Sequence, residues 1–164
     1  MDFSENGRRV RIGVIGLGGR GRGWVETLLG MNDACVAGVC DILPERLSQT
    51  MAMIREKQPE EAFATTRYAE LLARQDVEAV LVCTSWQVHH RIATQALEAG
   101  RPVGLEVGGA NSVQECWELV RASERSGKFC MLLANCCYGR EEMALIRMAR
   151  QGIFGQIVHC QGGY

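Results

Sequence analysis

Val10–Gly21 reads V-R-I-G-V-I-G-L-G-G-R-G, and this stretch decides the fold. Val10 to Ile15 is a short, largely apolar, β-branched run, the composition of a strand buried on both faces. Gly16, Gly18 and Gly21 follow as G-x-G-x-x-G, and the segment after them reads as helix through Leu29. In such a turn the first glycine allows the tight bend, the second lets backbone approach a bound diphosphate, and the third lets helix pack on strand.

Working outward, the same unit recurs. Cys35 to Cys40 is a second apolar run ending in Asp41; Pro44 then stands at a first helical position, with Leu47, Met51 and Ile54 at helical spacing. Tyr68 to Arg74 reads as a short helix before the run Ala79–Cys83, after which Ile92, Ala96 and Ala99 share a helical face closed by Gly100. Val103–Val107 is a fourth run. Ser112 and Glu115 then form a capping box for a helix whose inner stripe is read as Val113, Cys116, Trp117 and Val120. Phe129–Leu133 is a fifth run, Glu141–Arg150 a last helix, Gly152 and Gly155 a turn, and Ile157–Tyr164 alternates as a final strand. Apolar strands alternating with helices predict an α/β fold, a doubly wound parallel sheet of the Rossmann NAD(P)-binding kind covered on both faces.

The helix that opens at the glycine loop offers unpaired amides and a partial positive charge to an anion, so Gly16, Gly18, Gly19 and Gly21 form the candidate phosphate cradle, with Arg20 and Arg22 beside it. Asp41 ends the second strand about 20 residues beyond the loop, where a carboxylate accepts from the adenosine ribose hydroxyls and repels a 2′-phosphate. The expected cofactor is NAD rather than NADP. Taken alone, Asp41 also reads as an acidic cap before Pro44.

Bulk properties agree with one domain and a small-molecule partner. The 164 residues carry a formal net charge of -1, with acids and bases interspersed, so neither nucleic acid nor an anionic membrane is an expected partner. No apolar run reaches the roughly 18 residues of a membrane helix, and the first residues are polar where a signal peptide carries its apolar core, the pattern of a cytoplasmic protein. Of the eight cysteines, Cys35, Cys40, Cys83, Cys116, Cys130 and Cys160 lie in apolar runs without zinc-type spacing, and read as reduced core residues with no metal site.

Ile12 to Gly21, V-C-T-S-W-Q-V-H at Val82–His89 and A-L-E-A-G-R-P-V together resemble the glucose-fructose oxidoreductase and inositol dehydrogenase (Gfo/Idh/MocA) family over nearly the whole chain. The resemblance implies that Thr84, Trp86 and His89 belong to a loop running past the nicotinamide side of the cofactor, where the family usually shows T-P-N-x-x-H. It also implies that Glu106 belongs to the cofactor site, from the family's E-K-P, whose lysine acts on the substrate hydroxyl. Here Val107 replaces that lysine, and a valine neither gives nor takes a proton. His90 reads as solvent-facing.

E-V at Glu106–Val107, E-C-W-E-L-V at Glu115–Val120, N-C-C-Y-G-R at Asn135–Arg140 and G-I-F-G at Gly152–Gly155 are similar to the NAD-dependent α-N-acetylgalactosaminidases of glycoside hydrolase family 109. That likeness implies transient oxidation of the sugar at C3, elimination, water addition and return of the hydride, without the paired carboxylates of most glycosidases. It places Asn135 and Tyr138 near the cofactor–substrate boundary and gives Tyr164 a catalytic role at the sugar. Ala134 stands where the family usually has glutamate.

The resulting expectation is a dinucleotide-binding domain over residues 1–135, with residues 136–164 supplying the helix and first strand of a substrate domain that is otherwise missing. A sugar substrate requires the complete second domain, so this chain alone is expected to be inactive. The alternative is a degenerate, non-catalytic nucleotide-binding or interaction module. An unpaired final strand and an uncovered sheet face predict a homo-oligomer.

Overall fold

The computed structural model describes residues 8–135 and 137–162. The chain divides into two compact units, one ending at Leu133 and the other beginning at Ala134.

In the first unit, β1 (Val10–Ile15), β2 (Ala34–Cys40), β3 (Phe63–Thr65), β4 (Ala79–Val82), β5 (Val103–Glu106) and β6 (Cys130–Leu133) form one sheet in the order β3-β2-β1-β4-β5-β6. Every pairing is parallel. The helices are α1 (Gly19–Leu29), α2 (Pro44–Lys57), α3 (Tyr68–Ala73), α4 (Trp86–Glu98) and α5 (Val113–Ser126). This is the expected doubly wound architecture, and the direction of winding reverses between β1 and β4.

Successive side chains of a strand point to opposite faces, and the core divides accordingly. Val14, Val36 and Val39 pack with Val25 and Leu28 of α1 and with Leu47, Met51 and Ile54 of α2. Ile15, Ala37 and Cys40 pack on the other face with Leu71, Ile92, Ala93, Ala96 and Leu97. A register shift at Ile12/Gly13 against β2 accounts for the way Val36 and Val39, three apart, reach the same side. The α4 helix ends as Gly100 takes φ +75°, with its N–H donating to Leu97 O and that of Arg101 to Ala96 O.

Several expectations are corrected. Phe63–Thr65 is an additional strand, three residues long, that no apolar run announces. Ala99 is exposed; Ala93 and Leu97 complete the buried face of α4. In α5 the stripe read as inner faces outward, with Val113 75% and Trp117 56% exposed, while Leu119 and Ala122 pack into the core. Period 3.6 identifies an apolar stripe but not what covers it, and α5 turns its other side toward α4, where Glu118 Oε2 lies 2.8 Å from His90 Nε2. His90 is therefore half-buried rather than solvent-facing. Its cap follows the expectation at Ser112, whose Oγ accepts from Glu115 N at 3.1 Å; the returning Glu115 carboxylate accepts from Asn111 N. Met131 and Leu132 of β6 are exposed, so coverage of the sheet is incomplete at that end.

The second unit holds α6 (Arg140–Arg150), followed by a turn in which Gly152 and Gly155 take positive φ. Residues 157–162 form no strand, because a strand needs a hydrogen-bonding neighbour and none lies beside them among the described residues. Cys136 and Tyr164 lie outside the described residues.

Candidate functional site

The β1–α1 turn is built from contacts that only glycine permits. Gly16 takes φ +92°, donates its N–H to Cys40 O at 2.7 Å, and would set a Cβ 2.7 Å from the Cys83 backbone. A Cβ on Gly21 would lie 1.8 Å from Gly16 O. Gly18 and Gly19 differ: a Cβ on Gly18 would meet only Arg46 at 3.9 Å, and one on Gly19 nothing within 4 Å. Packing explains Gly16 and Gly21, whereas no neighbouring atom requires glycine at Gly18 or Gly19, both of which border the hollow beside the turn. Gly18 is also the N-cap of α1 and supplies no side-chain cap, which leaves that helix end to a ligand or water.

Beside the turn, where the sheet reverses, a cleft of about 500 Å³ is lined by Gly16, Gly18, Asp41, Thr84 and Arg46, with Tyr68 and Val88 on its apolar side. A second hollow borders Gly18, Gly19, Arg22 and Arg46. Asp41 is only 6% exposed. Its Oδ2 accepts from Leu17 N at 2.7 Å and its Oδ1 from Leu43 N at 2.9 Å, so one carboxylate joins the glycine loop to the approach of α2. The helix cap expected of Asp41 is replaced by this bridge, since α2 is capped at Leu43 with no side-chain bond.

Glu106, at the end of β5, is buried and accepts on one oxygen from Arg20 Nε and Trp24 Nε1, each at 2.7 Å. Arg20 also lies over the Trp24 ring. Arg20, expected at the phosphates, thus ties α1 to β5. His89 is 1% exposed, with Nε2 2.9 Å from Thr84 O and Nδ1 3.2 Å from Gly108 O. A neutral ring donates to one of these carbonyls and an imidazolium to both. Trp86, 59% exposed, packs its indole against Gly108, whose φ is +87° and where a Cβ would collide with the ring. Asn111 Nδ2 donates to Trp86 O. Trp86 and His89 therefore join the loops after β4 and β5, while Thr84 faces the cleft.

Val107 is 45% exposed. Asn135 is exposed and belongs to the second unit. Burial pushes the Cys40 thiol up to about 11, with Asp41 adding to it, and the Cys83 thiol up to about 12, with Glu106 adding to it; neither is a nucleophile at neutral pH. Cys35 is likewise buried, but Cys116 and Cys160 are exposed and Cys130 is half-buried, contrary to the expectation of a uniformly buried set. Arg46, Tyr68 and Arg91 line the cleft without having been singled out in the sequence. Arg46 alone had a signal, standing five residues past Asp41 in the first turns of a helix that starts at the same strand end.

A winding reversal, a glycine turn that opens a helix and an acid at the end of β2 define a dinucleotide-binding type of α/β domain. The chain belongs to the oxidoreductase family with an NAD-binding Rossmann fold (Gfo/Idh/MocA), whose model matches residues 10–133. It is similar to glycosyl hydrolase family 109 proteins of Solibacter usitatus, 36% identical over all of this chain and 39% of the relative, and of Streptomyces niveus, 38% identical over 98% of this chain and 33% of the relative. The chain thus spans between a third and two fifths of the length of these relatives. Among solved structures, myo-inositol dehydrogenase of Lactobacillus casei, determined with NAD(H) and myo-inositol, superimposes with a TM-score of 0.82 at 23% identity, over 90% of this chain and 43% of the other. The WlbA dehydrogenase of Bordetella pertussis, determined with NADH and UDP-GlcNAcA, gives 0.80 at 22% identity, over 92% and 44%. At these identities the likeness is one of fold.

Proposed function

We propose that this chain is the cofactor half of an NAD-dependent, sugar-handling enzyme, with the diphosphate over Gly18–Gly19, the adenosine ribose at Asp41 and the nicotinamide end toward Thr84, the start of α4 with Trp86 and His89, and Glu106 at the end of β5. The observation that carries the reading is the contrast between glycines that packing requires and glycines that it does not. Bound there, NAD supplies a hydride acceptor for a sugar carbon. The chain's own residues bind and orient it. Amides at the start of α1 would hold the diphosphate and the Asp41 carboxylate would accept from ribose hydroxyls, while the His89 and Trp86 contacts hold the segments after β4 and β5 in register.

Val107 has no proton to exchange where the family carries its lysine, so proton transfer at the sugar falls in this reading to the substrate side, where Tyr164 is the candidate. Residues from about 136 onward are read as opening the substrate domain, with Asn135, Tyr138 and Tyr164 at its boundary. The Val107 and Ala134 positions also favour a second reading, a nucleotide-binding module without turnover. Isothermal titration of the chain with NAD tests what both share, and turnover of an aryl α-N-acetylgalactosaminide once a complete substrate domain is joined to the chain separates them.

The outward stripe Val113, Trp117 and Val120, with Phe129, Met131 and Leu132 also exposed, supports self-association. Light scattering at tens of micromolar is expected to give a mass of at least twice 18.1 kDa, reduced toward one chain by Trp117→Glu. A monomer at that concentration contradicts this.

A further inference from the structure

Glu106 is held firmly on one oxygen only. Its Oε1 accepts from both Arg20 Nε and Trp24 Nε1, each at 2.7 Å, whereas among the described residues Oε2 meets only the N–H of its neighbour Val107, at 3.4 Å. That length lies at the weak end of hydrogen bonding. Arginine and tryptophan side chains donate and do not accept, so Oε1 is taken up by them and Oε2 keeps its lone pairs for a group from outside the fold.

The two donors are not equivalent. Arg20 is half exposed on a long, flexible side chain. Trp24 turns about two torsions only, and its indole packs against the apolar cluster that holds Val14, Val25 and Leu28. Its body is thus anchored in the core while its N–H reaches the carboxylate, and its ring lies under the Arg20 guanidinium, 5.7 Å from centroid to Cζ, which steadies the second donor. The bare Gly21 lets the start of α1 lie against the turn, and this brings Trp24 to the end of β5 although 82 residues separate it from Glu106.

We propose that Trp24 is a positioning residue of this site: its indole N–H fixes the Glu106 carboxylate so that Oε2 accepts from a hydroxyl of the bound dinucleotide. This rests on the cofactor reading above, which puts Glu106 at the nicotinamide end; Trp24 acts through Glu106 and touches no ligand itself. Without the indole N–H, Glu106 is left to Arg20 alone and samples other rotamers, so its contact with the ligand is made part of the time.

The test is isothermal titration of the whole chain with NAD in the wild type, Trp24→Phe, Glu106→Ala and the double variant. Trp24→Phe keeps an aromatic ring in the core, so its melting temperature is expected within a few degrees of wild type, with NAD bound about three- to tenfold more weakly, the worth of one hydrogen bond. Where residue 106 is already alanine the indole N–H has no acceptor, and Trp24→Phe is expected to cost no further affinity, a non-additivity that a purely structural role of Trp24 does not produce. In Glu106→Gln, whose amide oxygen still accepts, part of the Trp24→Phe loss is expected to remain. Unchanged NAD affinity in folded Trp24→Phe overturns the proposal, as does an equal loss with and without the residue 106 acceptor. No NAD binding by the folded wild-type chain overturns the cofactor reading and the proposal with it.

Discussion

Gly21→Ala is expected to prevent stable folding, and Gly16→Ala to destabilise the domain severely. At Gly21 the added methyl would lie 1.8 Å from Gly16 O, a backbone atom that cannot step aside without separating α1 from the turn. At Gly16 the methyl meets the Cys83 backbone at 2.7 Å in a conformation, φ +92°, that L side chains rarely adopt. Each change costs several kcal/mol, on the order of 4 or more, against a typical total of about 5–15 for a domain. Thermal melts followed by circular dichroism read the loss; a melting temperature within a few degrees of wild type for Gly21→Ala contradicts the packing of the turn.

The second large effect is at Asp41. Removing the carboxylate in Asp41→Ala leaves the buried Leu17 N–H without its acceptor and releases Leu43 N–H, costing about 1–3 kcal/mol of stability for the buried donor. NAD affinity is expected to fall by a further 10- to 100-fold, roughly the worth of hydrogen bonds to a charged group. Asp41→Asn separates the contributions, since an amide oxygen still accepts from one N–H while the charge is gone. Its melting temperature is expected nearer wild type than that of Asp41→Ala, with NAD binding still weakened. Unchanged NAD affinity in both variants removes Asp41 from the site.

These expectations were legible to different depths in the chain. The β1–α1 turn is written locally: Gly16 and Gly21 are needed by backbone that lies within a few residues or one strand away. The buried strands β2, β4 and β5 are likewise apolar except for Glu106 at the end of β5, so each announces itself. Phe63–Thr65 does not, because three residues at the sheet edge need little burial to pair with Gly38–Cys40. The direction of the α5 stripe was illegible for another reason: Trp117 and Val120 differ from Leu119 and Ala122 in their neighbours, not in their spacing.

Site residues show the same division. Gly16, Gly18 and Asp41 meet in one cleft as their motif spacing implies, and Thr84, named through the family resemblance, lines it too. The partners of Glu106 and His89 come from elements 86 and 19 residues distant in sequence and carry no local signature. Arg46 stands beside Asp41 in the cleft, and its place five residues past that acid was its one sequence signal.

The most direct measurement is isothermal titration of NAD into the wild-type chain and into Gly18→Val. Gly18 has an ordinary extended backbone, φ -63° and ψ -176°, and open space where a side chain would stand, so the variant keeps the fold and fills only the cradle. The account predicts one saturable NAD site in the wild type and an affinity at least about tenfold weaker in Gly18→Val, with the two melting curves alike. NAD binding of equal strength in both proteins, or none in a folded wild-type chain, contradicts it.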